Sequence, residues 1–276
     1  MDAARVALDT LDARLRILLP EQYQDTYERV QPISMGSAGL QYDSAGQVAW
    51  DRIWQSFCDL AMAGGPPHKG AWLGPGAAAD IEANREQYDT VTTEICRGIW
   101  MAADLLAFVD DRPGWVRVKC HSVAMAGWLT RAIVMENVAA RCDGVMLFLP
   151  AAPLFRIDKE IKNVVTVIAK TSHYWLGHMT GSQRALIADL FGKMAVESPL
   201  IEPEIERQGW RGVECATVTE AVWMMRALVA YNILARREQQ TLLVPIDPLH
   251  DPDGAYVESK LKLVRRLSVL RGVSAT

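Results

Sequence analysis

The chain of 276 residues has no apolar run that approaches 18 residues without a charge, which argues against a membrane-spanning helix. Residues 4–19 carry Arg5, Asp9, Asp12, Arg14 and Arg16 among apolar positions, so they read as an amphipathic helix and not as a secretory signal. Cysteine is scarce and irregular, at 58, 96, 120, 142 and 215, with no C-x-x-C. Five is an odd number, and the spacing suits neither a disulfide framework nor a zinc ribbon. Reduced thiols in a cytoplasmic protein are the expectation.

Basic charge is also short, with 29 Lys and Arg against 33 Asp and Glu and a net charge of −4. No global field draws nucleic acid to such a chain. The one basic run, Lys260, Lys262, Arg265, Arg266 and Arg271, alternates with Leu261, Leu263, Val264, Leu267 and Leu270. That is the solvated face of a C-terminal amphipathic helix. Phosphate-loop, dinucleotide, nucleophile-elbow and H-E-x-x-H motifs are all missing.

What is present is an internal repeat. Residues 114–153 align with residues 209–248 at a constant offset of 95, without a gap, and sixteen of forty positions are identical. They include Trp115/Trp210, Cys120/Cys215, Trp128/Trp223, Arg131/Arg226, Asn137/Asn232, Arg141/Arg236 and Pro150/Pro245. Within each copy a half-buried strand leads to Ser122 or Thr217 at a helix N-cap position. A long helix follows, then, after Asp143-Gly144 in the first copy, a second strand that Pro150 ends. This pattern predicts an α/β fold built from a duplicated βαβ unit, with a parallel or mixed sheet, long flanking helices, and N- and C-terminal helices. A weaker match extends upstream, where His68 precedes Trp72-Leu-Gly and His173 precedes Trp175-Leu-Gly. The divisions follow: 1–49 an N-terminal helical extension, 50–155 and 156–250 the repeats packed as one domain, and 251–276 a C-terminal helix.

Positions shared by both copies are expected to serve the fold, and positions that differ are better places to seek chemistry. Cys120 and Cys215 both end a strand before a helix N-terminus, where an exposed thiol would be acidified. Only Cys120 is followed by a histidine, His121, although neighbours on a strand point to opposite faces. Glu136 has Tyr231 as its counterpart and stands beside Asn137. Four of the five histidines, His68, His121, His173 and His178, fall at these turns, and His68 sits in a Gly-Gly-Pro-Pro loop. His173 and His178 are five apart, which does not stack on an α-helix but allows convergence from a turn. Residues 158–163 (DKEIKN) open a helix with dense charge that suits a solvated face or the rim of a cleft for an anion.

The expected function is a small-molecule enzyme with its site between the repeats. His68, His173 and His178, with Cys120 or His121, would supply acid/base or metal-assisted chemistry, a divalent metal being compatible with the histidines. Lys69, Arg131, Asn137 and Glu136 would orient the ligand. The alternative is a non-catalytic ligand-binding or assembly protein in which the repeat imitates a dimer. No membrane or nucleic-acid partner is expected, and the apolar content with eleven Met leaves room for contact between copies.

Overall fold

A computed structural model describes residues 3–25, 39–55, 59–204 and 209–274, so Cys58 lies outside the described residues. Among the described residues no helix is long and apolar enough to cross a membrane. Both terminal stretches are helical: α1 (Ala3–Leu18) buries Leu8, Leu11, Leu15 and Leu18, and α8 (Ala255–Arg271) buries Val257, Leu261, Val264 and Leu267. Their apolar residues recur every three or four positions, so each helix lays one stripe on the core. Arg271 donates to Asp12 at 2.9 Å and ties the two together.

The body consists of two units with the same course. In the first, β2 (Trp115–Lys119) runs into α4 (Val123–Met135), then β3 (Arg141–Asp143) and β4 (Met146–Pro150). In the second, β5 (Trp210–Glu214), α7 (Val218–Val229), β6 (Arg236–Glu238) and β7 (Thr241–Pro245) repeat that order. Pairing registers also agree at an offset of 95: Trp115 faces Pro150, and Trp210 faces Pro245. Ser122 and Thr217 cap their helices by accepting from the backbone of Met125 and Glu220. Every residue of α4 from Met125 to Met135 is buried, as is every residue of α7 from Glu220 to Val229, which makes these the two central helices.

The parallel βαβ sheet expected from the pattern does not form. The sheets are antiparallel, in the orders β1-β2-β4-β3, with β1 at Ala107–Val109, and β5-β7-β6. The reason lies at Asp143-Gly144, which is the tip of a hairpin and not a break before a lone strand. Gly144 takes φ +54°, and Gln239 at the same place in the second unit takes φ +52°. Residues 141–143 therefore form a strand of their own, and the chain reverses once more before β4. β3 does run in the direction of β2, as a helical crossover requires, but β4 is inserted between them.

The upstream match is also corrected. Leu73 bridges to Val138 in the first unit, and the residue that does so in the second is Ile201, which bridges to Ile233. Leu73 N donates to Asn137 O at 2.8 Å, and Ile201 N donates to Asn232 O at 2.9 Å. The equivalent of Leu-Gly-Pro at 73–75 is thus Ile-Glu-Pro at 201–203, while the Trp-Leu-Gly at 175–177 sits in a helical turn. The intervening helices also fall differently: α2 (Ala78–Ala83) and α3 (Arg85–Ala103) follow the first bridge, whereas α5 (Lys162–His173) and α6 (Gly181–Glu197) precede the second.

Asn137 and Asn232 explain why both units turn alike. Each has left-handed φ, +62° and +63°, and each stands where α4 or α7 gives way to the bridge segment. Asn137 N returns to Val134 O and Val138 N to Ile133 O, and the same pair of bonds recurs 95 residues later. This is a Schellman ending in which asparagine takes the place usually held by glycine. The Asn137 side chain then donates to Lys69 O and Arg237 O and accepts from Arg236 Nη1 at 3.2 Å. Asn137→Ala should lower stability by about 2–4 kcal/mol, through lost hydrogen bonds and a strained φ. Asn137→Gly, which relieves the strain alone, should cost about 1 kcal/mol less. Urea denaturation of the two variants measures both figures.

Candidate functional site

The expected residues separate into three groups. Cys120, His121 and Arg131 form no common site. Cys120 is buried at the end of β2, where burial and the neighbouring Cys142 thiol push its pKa up to about 12. The Cys215 thiol is likewise pushed up to about 11, chiefly by burial. A thiol so far from ionising at neutral pH is a poor nucleophile. His121 is exposed, whereas Cys120 points into the core, so the strand alternation separates them. Arg131 is buried across the units: its guanidinium donates to Asn232 Oδ1 and to Gly127 O, and lies 4.1 Å from the Phe191 ring centre.

The second group lies at the seam between the units, where residues 60–69 are clamped from several sides. Glu136 is fully buried, and its carboxylate accepts from Ala61 N at 2.9 Å and from His68 N at 2.8 Å. Lys170, 1% exposed, places its ammonium 2.8 Å from Glu136 Oε1. The second unit holds the same loop: Arg226 Nε donates to Met62 O and Arg237 Nη2 donates to Gly65 O. Backbone groups of a buried loop need partners, and here charged side chains of both units provide them. Gly65 could not be replaced without strain, since a Cβ there would stand 2.4 Å from Asp59 O.

This clamp presents His68. Both ring nitrogens are shielded from solvent, with the Asn163 side chain beside the ring. Burial pushes the imidazole pKa down to about 3, helped by the positive charges of Lys170, Lys162 and Lys69 and opposed by Asn163. The ring is therefore neutral at physiological pH.

The third group is made by a π-turn. Residues Tyr174–His178 continue α5 with widened, i to i+5 helical pairing. On an α-helix residues five apart point about 140° away from each other. Widening the turn removes that divergence, and His178 Nε2 comes within 3.2 Å of His173 Nε2. Both rings are exposed on one side, and burial, then His178, holds the His173 pKa below the usual histidine range. Tyr174, whose ring centre is 5.1 Å from that of His178, meets the Tyr23 hydroxyl at 2.7 Å. Tyr23 donates in turn to Asp59 Oδ1 at 2.8 Å. Burial, together with these two bonds, raises the Tyr23 pKa, so the phenol stays protonated.

The structure thus joins His173 with His178, and His68 and Lys69 with Glu136 and Asn137. It adds Lys170, Arg237, Tyr174, Tyr23 and Asp59, whose roles have no local motif. Among the described residues no group of three or more His, Cys, Asp or Glu side chains could hold a metal ion. Comparison with family models, with curated proteins and with solved structures finds no match.

Two outcomes follow from the clamp. Lys170→Met and Glu136→Gln should each cost about 3–5 kcal/mol, since each leaves a buried charge without its partner. The double variant should cost less than the sum, and a double-mutant cycle by denaturation reads the difference. The lowered His68 pKa means that the unfolded chain binds a proton below pH about 6.5 that the folded chain refuses. Stability should therefore be lost as pH falls from that point toward about 3, with a shallower slope in His68→Leu.

Proposed function

We propose that the chain is a small-molecule enzyme whose proton-transfer groups are His173 and His178, with the substrate seated toward the seam loop. The observation that carries this reading is the 3.2 Å approach of two solvent-accessible imidazole nitrogens. At that distance one Nε2 donates its proton and the other accepts it, which leaves opposite roles, a lone pair and an N–H, at the two Nδ1 atoms. A substrate placed against them meets a base and an acid together, the pairing that general acid/base catalysis requires. The Tyr174–Tyr23–Asp59 chain supports the turn from below and fixes its depth. Two imidazoles also offer a metal two ligands, one fewer than catalytic zinc sites usually draw from protein. The acid/base form needs no third.

Several finer features belong to the same reading. The two units are tandem copies of one β-α-β-β element, supported by their shared registers and left-handed asparagines. A cytoplasmic setting is supported by the free thiols of Cys96, Cys120, Cys142 and Cys215. The second reading, a non-catalytic binding or assembly protein, draws support from the seam, where residues common to both units are engaged in structural bonds.

Incubation with a deproteinated metabolite extract, followed by mass spectrometry, separates the two readings. Wild-type protein should consume at least one metabolite, and a His173→Ala/His178→Ala variant should be slower by about 10²–10⁴-fold. The acid limb of that activity should lie below pH about 6.5, because the lowered His173 pKa keeps the base neutral to more acidic pH. Identical metabolite profiles for wild type and the double variant would overturn the enzyme reading.

A further inference from the structure

The two units place equivalent residues on the same backbone frame. Gly76 N donates to Ala151 O at 3.0 Å in the first, and Glu204 N donates to Ile246 O at 3.1 Å in the second. Leu-Gly-Pro at 73–75 thus matches Ile-Glu-Pro at 201–203, and Ala151 matches Ile246 at the offset of 95. On that frame the second unit carries three polar side chains that the first lacks. Glu202 stands where the first unit has Gly74, Asp247 where it has Ala152, and His250 where it has Phe155. Residues needed only for the shared fold recur in both units, so a polar group confined to one of them is a place to look for chemistry.

The three are drawn together around one carboxylate. Asp247 is buried, and its Oδ1 accepts from Leu249 N and His250 N at 3.1 and 3.0 Å. Its Oδ2 accepts from Glu202 N at 3.1 Å and meets His250 Nδ1 at 3.0 Å. Four donors fill the acceptor positions of this carboxylate, so Nδ1 carries the N–H of the neutral ring and the lone pair lies at Nε2. His250 is exposed, and its Nε2 has no partner among the described residues. The loop that holds the ring is itself anchored. Asp251 N donates to Asp247 O at 2.9 Å, and the Asp251 carboxylate accepts from Tyr256 N and Val257 N at the start of α8. A ring oriented through Nδ1 by a buried aspartate, with Nε2 open to solvent, is the arrangement in which histidine takes a proton from a hydroxyl or from water.

Beside this pair stands an uncommitted cation. Arg141 of β3 faces Glu202 and lies 5.9 Å from the Trp115 ring centre, but its guanidinium makes no hydrogen bond or ion pair among the described residues. Its counterpart Arg236 is bound to Glu238 at 2.6 Å and to Asn137 at 3.2 Å. Burial, with the Asp247 charge, holds the Glu202 pKa above the usual carboxylate range against the pull of Arg141 and His250. Glu202 therefore opposes an arriving anion less than an ordinary glutamate would.

We propose that His250, Asp247 and Arg141 form a second site, separate from the His173–His178 pair, that hydrolyses small esters bearing a carboxylate. His250 Nε2 takes a proton from water as the water oxygen bonds to the ester carbonyl carbon. The bond from that carbon to the alkoxy oxygen then breaks, and the proton passes from Nε2 to the leaving oxygen, giving one acid and one alcohol. Asp247 is a positioning residue that fixes the ring, and Arg141 receives the substrate carboxylate bidentately. This site goes beyond the function proposed above and stands or falls without it.

The test is release of nitrophenolate by the full chain from para-nitrophenyl acetate and from mono-para-nitrophenyl glutarate, which carries a free carboxylate. Both should be hydrolysed faster than in buffer, and His121→Ala, a control at an exposed histidine outside the site, should keep the wild-type rate. His250→Asn retains a donor toward Asp247 and removes the base, so kcat should fall about 10²-fold or more at an unchanged melting temperature. Asp247→Asn retains an acceptor for the turn and should lower kcat about tenfold or more with KM near wild type. Arg141→Gln should raise KM about tenfold for the glutarate ester and leave that for the acetate ester unaltered. Hydrolysis no faster than in buffer overturns the proposal, as do equal rates for wild type and His250→Asn. Equal changes for the two esters in Arg141→Gln overturn the carboxylate-bearing substrate class.

Discussion

The arrangement of the seam depends on one buried carboxylate. Glu136 sits at the end of the central helix α4 with no solvent to share its charge, so it must be surrounded by donors. It finds them in Lys170 from α5 and in the backbone of Ala61 and His68 from a loop distant in sequence. Three segments that share no secondary structure are thereby required to meet at one point. An ionic contact of this kind adds little net stability over a well-packed apolar one, but it is intolerant of alternatives. Any register in which the loop slid by one residue would leave a charge buried without partners.

Around that point the two units are joined by groups that belong to the repeat. Arg236 stands 4.9 Å from the ring centres of both Trp72 and Trp210, while its counterpart Arg141 lies 5.9 Å from Trp115. The tryptophan–arginine pair is thus common to both units, and the second copy uses it to hold Trp72 from outside its own sheet. Asn137 and Asn232 show the same division of labour: their backbones end the helices alike, but their side chains reach different arginines, Arg236 and Arg131. Backbone conformation is shared by the two units, and side-chain partnership follows the asymmetric packing between them.

That distinction accounts for what could be read in the chain of residues. The offset of 95, the helix caps at Ser122 and Thr217 and the terminal amphipathic helices are local patterns, and local patterns survive in the structure. Strand direction is not local. A helix followed by Arg-Cys-Asp-Gly has the same apolar spacing whether the next strand pairs in parallel or folds back as a hairpin, and the left-handed φ at Gly144 decides the matter. Gln239 occupies that conformation in the second unit without glycine to announce it. The candidate residues divide in the same way. His173 and His178 were visible by rarity, but their meeting requires a π-turn, which carries no composition signal. Lys170 stands in an apolar helix stretch, and its partner is thirty-four positions earlier in the chain.

The π-turn at Tyr174–His178 also sets how this region can vary. Helical phase is a matter of winding as well as residue count: the same residues wound as ordinary α-helix would point His178 about 140° away from His173. The imidazoles would then face apart though both were still present, and the Tyr174 hydroxyl could keep its bond to Tyr23. The winding of that turn is therefore a constraint as strict as the identity of the two histidines. Two related chains could keep every side chain named here and still differ in whether the pair exists.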